Sequence, residues 1–219
     1  MVKATKKYIL FDFDGVIADS SEVSWDLNKK ICATITRERW LEVFEGNVHD
    51  WDKNTAHWHS PDCKHEIFDW FAEYAPLMQQ RVVIFPTVSG VVKQLAEKYI
   101  LIIISSSPTY LIEEFMQKNA IREYFADLLG NDVHTSKVEK IRMVFEKYKI
   151  LPEQCVFVTD TVGDMREARE MNVDSIGASW GYHEHERLSK AKPFRVVHRP
   201  DALIPAISDY FKERNQQGE

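Results

Sequence analysis

The chain has 219 residues, 44% of them apolar, enough for one large domain or a core with an insertion, and too apolar for a disordered chain. A net charge of −6 argues against a nucleic-acid or anionic-membrane surface as the main partner, and no stretch approaches the roughly 20 apolar residues of a membrane span. Cys32, Cys63 and Cys155 are odd in number and far apart, as in a reduced protein, and residues 1–7 pass directly into strand-like sequence with no apolar leader, so a cytoplasmic location is expected.

Tyr8, Ile9, Leu10 and Phe11 suit a buried strand, and the run ends in Asp12 and Asp14 with a glycine behind them. Side chains alternate along a strand, so carboxylates at i and i+2 point to one side. Gly15 lets the chain turn sharply just beyond. Two anions about 4 Å apart repel by on the order of 4 kcal/mol at an effective dielectric near 20. A metal, or chemistry that uses the pair, is the natural explanation.

From about Ala18 to Gln80 the sequence is helical in character. Val23, Leu27, Ile31 and Ile35 recur every four residues; Trp40, Val43 and Phe44 mark a second helix stopping at Gly46; Ile67, Phe71 and Tyr74 mark a third. The stretch holds five of the six tryptophans and four of the eight histidines. It reads as a small helical cap inserted after the first strand and linked back through residues 81–87. The core is then 1–17 and 82–219, and the insertion 18–81.

Val91, Val92 and Leu95 place a helix before a second apolar run, residues 99–104, which leads into Ser105, Ser106, Ser107 and Pro108. Leu111, Ile112, Phe115 and Met116 then keep a helical period. A short strand is expected near 127–130. Ser136 to Glu139 forms a capping-box pattern, opening a helix with Ile141, Phe145 and Tyr148 as its buried stripe. Residues 155–158 are the third apolar run, ending at Thr159 and Asp160. A helix carrying Met165, Ala168 and Met171 follows Asp164, with Asn172 as its stop. Strands near 174–178 and 195–197 and a closing helix from about Asp201 complete the chain. Unbroken apolar runs suit strands buried on both faces of a parallel sheet. Their alternation with helices gives an α/β, doubly wound, Rossmann-like core. Ligands in that architecture sit beyond the carboxyl ends of the strands, where Asp12, Asp14, Ser105 and Asp160 fall.

Four pieces thus line up: Asp12-Phe-Asp-Gly-Val16, Ser105 after an apolar strand, Lys137 at a helix start, and Asp160-Thr-Val-Gly-Asp164. In these the sequence resembles the haloacid dehalogenase superfamily, particularly its phosphatases with a helical cap. Phe85-Pro-Thr-Val-Ser-Gly90 and Ile176-Gly-Ala-Ser-Trp-Gly-Tyr182 are similar to segments of phosphoglycolate-phosphatase-like members. The resemblance covers nearly the whole core, but only the position and helical character of the cap.

The resemblance implies a phosphatase acting on a small phosphorylated metabolite, of phosphoglycolate or sugar-phosphate type. Asp12 would be the nucleophile that forms an aspartyl-phosphate, and Asp14 the general acid and then base. Ser105 would donate a hydrogen bond to a phosphoryl oxygen. Lys137 would add charge where a helix start already favours an anion. Mg²⁺ would be held by Asp12, the Asp14 main-chain carbonyl and Asp160, with Asp164 ligating directly or orienting a water. Ser106 and Asp19 are expected substrate contacts. No nucleic acid or membrane is expected as a partner, and the assembly would be a monomer or homodimer. Thr159 departs from the pattern, standing where many relatives have glycine, which puts the local loop geometry in question.

Each residue also has a blander reading: a solvated turn for Asp12 and Asp14, a helix cap for Ser105, a surface lysine for Lys137, an acidic helix start for Asp160 and Asp164. Asp19 and Ser20 could simply cap a helix, and His183 and His185 read as loop residues. His57, His59, Cys63 and His65 suggest zinc, but at spacings unlike the usual finger or ribbon; Trp51 and Trp58 could pack or face substrate. A sugar-phosphate mutase is the nearest rival, since an aspartyl-phosphate can be returned to another hydroxyl. A receiver-like signalling domain is a rival of another class, opposed by the long insertion and the Asp-x-Asp-Gly order.

Overall fold

In the computed structural model, which describes residues 6–50 and 68–217, the first apolar run forms β1 (Tyr8–Phe11) and a two-residue strand, β2 (Ala18–Asp19), follows the glycine turn. The insertion then contributes α1 (Ser21–Ile31), α2 (Arg37–Glu42), which tightens into a 3₁₀ turn over Val43–Glu45, and α3 (Trp70–Arg81). The chain returns through β3 (Val83–Ile84), α4 (Val88–Ala96) and β4 (Ile100–Ile104). It continues as α5 (Thr109–Lys118), β5 (Phe125–Leu129), α6 (Lys137–Tyr148) and β6 (Cys155–Thr159). Last come α7 (Val162–Glu170), β7 (Ser175–Ala178), α8 (His185–Lys190), β8 (Arg195–Val197) and α9 (Leu203–Gln217).

Six strands form one parallel sheet in the order β5-β4-β1-β6-β7-β8. The doubly wound expectation holds, and its cause is visible in β1. Ile9 and Phe11 enter one apolar cluster, with Leu95, Phe115 and Tyr210, while Tyr8 and Leu10 enter another, with Ile141, Val144 and Ala168. Both faces are covered by helices, so both sets of alternating side chains must be apolar. β4 and β6 divide in the same way, Leu101 and Ile103 against Ile102 and Ile104, Val156 and Val158 against Cys155 and Phe157.

Register fixes the site. Phe11 lies opposite Ile103 on one side and Val158 on the other, so β1, β4 and β6 end level. The order reverses at β1, which places the crevice of a doubly wound sheet over these three carboxyl ends. Gly15 has φ +75°, the left-handed turn expected after the acids. Asn172, at φ +58°, stops its helix as expected.

β2 and β3 pair antiparallel and join the insertion to the sheet. The sequence does not reveal them, because two residues are too few to show alternation. α7 begins at Val162, before Asp164, because Thr161 caps it: its Oγ1 accepts the Asp164 N–H at 3.4 Å. Asp164 therefore stands in a helical first turn, where the dipole favours its charge. The reading of three reduced thiols does not hold for Cys32, which is disulfide-bonded, whereas Cys155 is a free buried thiol; distance along a chain sets no limit on approach in space. Among the described residues, no helix is long and apolar enough to cross a membrane. Trp51, His57, Trp58, His59, Cys63, His65 and Ile67 lie outside the described residues.

Candidate active site

β1 delivers Asp12 into the crevice almost wholly buried, its N–H held by the Val158 carbonyl at 2.9 Å. One carboxylate oxygen accepts the Phe13 N–H at 2.7 Å, and the other lies 2.9 Å from Lys137 Nζ. Ser136 caps α6, its Oγ accepting the Glu139 N–H at 3.4 Å, so Lys137 is the first residue of that helix. The Lys137 ammonium also donates to Asp164 at 2.7 Å and stands 5.6 Å from the Phe157 ring. Sequence segments 125 residues and more apart are thereby tied through one buried cation.

The charges balance unevenly. Burial opposes the charge on Lys137, but the carboxylates of Asp12 and Asp164 outweigh it and hold its pKa above the ordinary lysine value. Burial also works against Asp164, yet Lys137 and the hydrogen bonds it accepts bring its pKa down to about 2. Asp12 goes the other way: burial raises its pKa well above the usual carboxylate range despite Lys137, with Asp164 and Asp160 adding repulsion. Burial pushes Asp160 up to about 8, against the Tyr182 N–H that it accepts at 2.7 Å. Its other oxygen, Oδ1, is buried with no hydrogen-bond partner.

That orphaned oxygen fits a cation, because a buried carboxylate oxygen without a donor is otherwise costly. The expected metal set of Asp12, Asp14, Asp160 and Asp164 is nevertheless not a cage of carboxylates. Among the described residues, no three or more His, Cys, Asp or Glu side chains form a metal-holding group. Asp164 is turned toward Lys137 and toward Thr159, whose Oγ1 donates to it at 2.7 Å. The Asp14 side chain is engaged elsewhere. Thr159, the departure from the family pattern, thus orients an acid rather than crowding it.

Asp14 is held through both carboxylate oxygens. The Tyr74 hydroxyl donates to one oxygen and the Ser107 hydroxyl to the other, each at 2.6 Å. Ser105 is fully buried; its Oγ accepts the Ser107 N–H at 3.0 Å and its carbonyl accepts Lys140 Nζ at 2.6 Å. Asp12, Asp14, Lys137 and Asp164 line one cavity of about 370 Å³, with Ser106 and Ser107 rather than Ser105. Asp19 is not among the residues lining it; it occupies the exposed side of β2, because the strand alternates and buries Ala18 instead. His183 is no loop residue at the surface: it is fully buried, accepts the Val162 N–H at 3.1 Å through Nδ1 and bridges to the Leu41 carbonyl at 2.9 Å through Nε2. His185 is the first residue of α8 and stacks on His198.

Sequence reasoning missed Tyr74, Ser107, Lys140 and Glu167. Lys140 follows Lys137 by one turn, so its face was legible. Likewise Glu167 follows Asp164 at i+3, and it accepts the Lys137 N–H at 2.9 Å. Tyr74 carried only a helical period, and nothing distinguished Ser107 within a run of three serines.

A family model described as haloacid dehalogenase-like hydrolase matches residues 9–178. The chain belongs to that family. Among curated proteins, it is similar to a phosphoglycolate phosphatase of Vibrio parahaemolyticus, 24% identical over 95% of this chain and 99% of the relative. A phosphoglycolate phosphatase of Psychrobacter arcticus is also 24% identical, over 96% of this chain and 99% of its own length. A solved haloacid dehalogenase-like family hydrolase from Streptococcus pneumoniae superposes with a TM-score of 0.72 at 20% identity, covering 92% of this chain and 98% of that one. At such identity the superposition speaks to the fold, and it agrees with the six-stranded parallel sheet.

Proposed function

We infer that the protein is a Mg²⁺-dependent phosphatase that hydrolyses a small phosphate monoester through an aspartyl-phosphate on Asp12, with residues 18–81 acting as a cap over the crevice. The observation that carries this reading is the pairing of Asp12 with the buried Lys137 ammonium at 2.9 Å, beside an independently held Asp14, on the floor of one cavity. The family and the phosphatase names of its relatives support it.

In the first step a carboxylate oxygen of Asp12 attacks phosphorus, and the bond from phosphorus to the ester oxygen breaks. The departing alcohol takes its proton from Asp14. In the second step Asp14 accepts a proton from water, whose oxygen attacks the same phosphorus; inorganic phosphate leaves and the Asp12 carboxylate is restored. Lys137 stays charged throughout and is fixed before the reaction, so its field costs no reorganisation. Asp12, Asp160 and the Asp14 carbonyl are the groups that would hold Mg²⁺, a set of two carboxylates typical of that ion when phosphate and water complete its shell. When bound, the ion neutralises charge on the transferring phosphoryl group.

A panel of phosphate esters assayed with and without Mg²⁺ tests the reading. Release of inorganic phosphate that depends on Mg²⁺, and that is lost in Asp12→Asn with the melting temperature preserved, is the expected result. Undiminished turnover in that variant would refute the nucleophile.

A further inference from the structure

Lys140 is a buried cation that the two steps above leave without a task. It lies one turn beyond Lys137 on α6 and is fully buried, in the stretch where Ile141 and Val144 pack with the residues of β1 and β4. The acids of the cavity floor do not take it up, because Asp12 and Asp164 both go to Lys137, at 2.9 and 2.7 Å. Its ammonium donates instead to a main-chain carbonyl, that of Ser105, at 2.6 Å. A neutral acceptor repays little of the water that an ammonium gives up on burial, so an apolar side chain would suit this packing better. That cost shows in the Lys140 pKa, which burial lowers to about 8. The lysine is placed for what its donor holds.

What it holds leads to an acid. Ser105 follows β4 directly; its N–H donates to the Leu129 carbonyl at 3.0 Å and its carbonyl receives Lys140, so its backbone is fixed from both sides. The buried Ser105 Oγ accepts the Ser107 N–H at 3.0 Å, and the Ser107 carbonyl accepts the Asn131 N–H at 3.0 Å. Ser107 Oγ then donates to Asp14 at 2.6 Å. Three consecutive hydrogen bonds therefore run from α6 to the carboxylate that trades protons. Lys140 is not among the residues lining the cavity, so any effect it has on the reaction passes through this path.

Resting on the phosphatase reading above, we propose that Lys140 is a positioning residue for proton transfer, which sets the loop 105–107 and, through Ser107, the direction in which Asp14 presents its proton to the departing oxygen. Two lysines one turn apart on α6 then divide the work. Lys137 meets the acids beside the phosphoryl group, and Lys140 governs the acid that serves the leaving group.

Leaving-group dependence tests this. 4-Nitrophenolate leaves phosphorus without a proton, whereas an alkoxide needs one from Asp14. Lys140→Met, with a cooperative melting curve, should lower kcat/KM for benzyl phosphate and for phosphoglycolate about tenfold or more, and for 4-nitrophenyl phosphate less than about threefold. Because kcat/KM reports the transfer from ester to Asp12, the second step does not disturb the comparison. Ser107→Ala should reproduce the selective loss, and the double variant should lose little more than either single one, since both lie on one path. Lys140→Gln, one atom shorter and uncharged, is the second variant should Lys140→Met not fold, and should show the same selectivity. Equal losses on all three esters, no loss, or additive losses in the double variant would overturn the inference and leave the phosphatase reading standing. Release of phosphate from no ester by the wild type would overturn both.

Discussion

Tyr74 and Ser107 each give a hydroxyl proton to one oxygen of Asp14, so the carboxylate is held in one rotamer by donors from two different parts of the molecule. A hydrogen bond to a charged group is worth about 1.5–3 kcal/mol, enough to matter for the aim of an acid. Tyr74→Phe should therefore lower kcat roughly tenfold while the fold persists; steady-state kinetics beside a melting curve would show it, and an unchanged kcat would remove Tyr74 from the site. Lys140 offers a pH test. It is fully buried against the Ser105 carbonyl, and burial brings its pKa from 10.5 down to about 8. Between those two values the unfolded chain binds more protons than the folded one, so this group's contribution to stability rises with pH from 8 to 10.5. Below 8 both states are protonated and the whole penalty of the buried charge is present. Relative to Lys140→Met, the wild type should gain on the order of 3 kcal/mol between pH 7 and high pH. Urea unfolding of both proteins at the two ends would measure it, and a pH-independent difference would contradict the assignment.

One short stretch of the insertion is fastened to the core beside α7. Next to α2, the Glu45 carbonyl accepts from Arg166, Glu38 and Glu45 pair with the nearly buried Arg187, and Asn47 Nδ2 donates to Glu167 at 3.2 Å. Glu167 in turn holds the Lys137 N–H, so α2's neighbour and the start of α6 share one carboxylate. Burial raises the pKa of Glu167, and the Asp164 charge adds to this. Gly163 makes the approach possible: a Cβ there would collide with the Gly46 and Phe44 carbonyls, backbone that cannot swing aside. Gly163→Ala should destabilise the protein by about 1–3 kcal/mol and reduce turnover, because the stretch that walls the cavity is pushed off α7. Calorimetry alongside the phosphate-release assay would reveal both losses; a variant as stable and active as the parent would mean the stretch is not seated there.

Taken whole, the molecule stores an electrostatic deficit at the sheet's carboxyl edge. Buried Asp12 and Asp164 share the Lys137 ammonium, and Asp160 Oδ1, buried nearby, has no donor. A divalent cation that binds the folded chain and not the unfolded one stabilises by mass action. Millimolar Mg²⁺ should then raise the melting temperature by roughly 5 °C or more at saturation, and Asp160→Asn should abolish most of that rise. Calcium-free and magnesium-free controls by differential scanning fluorimetry would decide it, and an equal shift in the variant would place the ion elsewhere.

What the sequence determined by itself is the sheet and the identities of the acids. β1, β4 and β6 must be apolar on both faces, which leaves continuous runs, and each run ends in residues a buried strand would not otherwise carry. The same logic made Asp12, Asp14 and Asp160 legible, since charge at such positions needs a purpose, whereas Lys137 and Asp164 stood out through the family resemblance. Only the tertiary structure decided which groups touch them. Tyr74 reaches Asp14 from 60 residues away and His183 reaches Leu41 from 142, and no local period encodes such a meeting. Asp19 lies outside the described cavity lining and Ser105 stands behind it, for the related reason that a one-residue step along a strand or loop turns a side chain to the opposite side. Periodicity records which face a residue takes; what lies across from that face is set by how the layers pack.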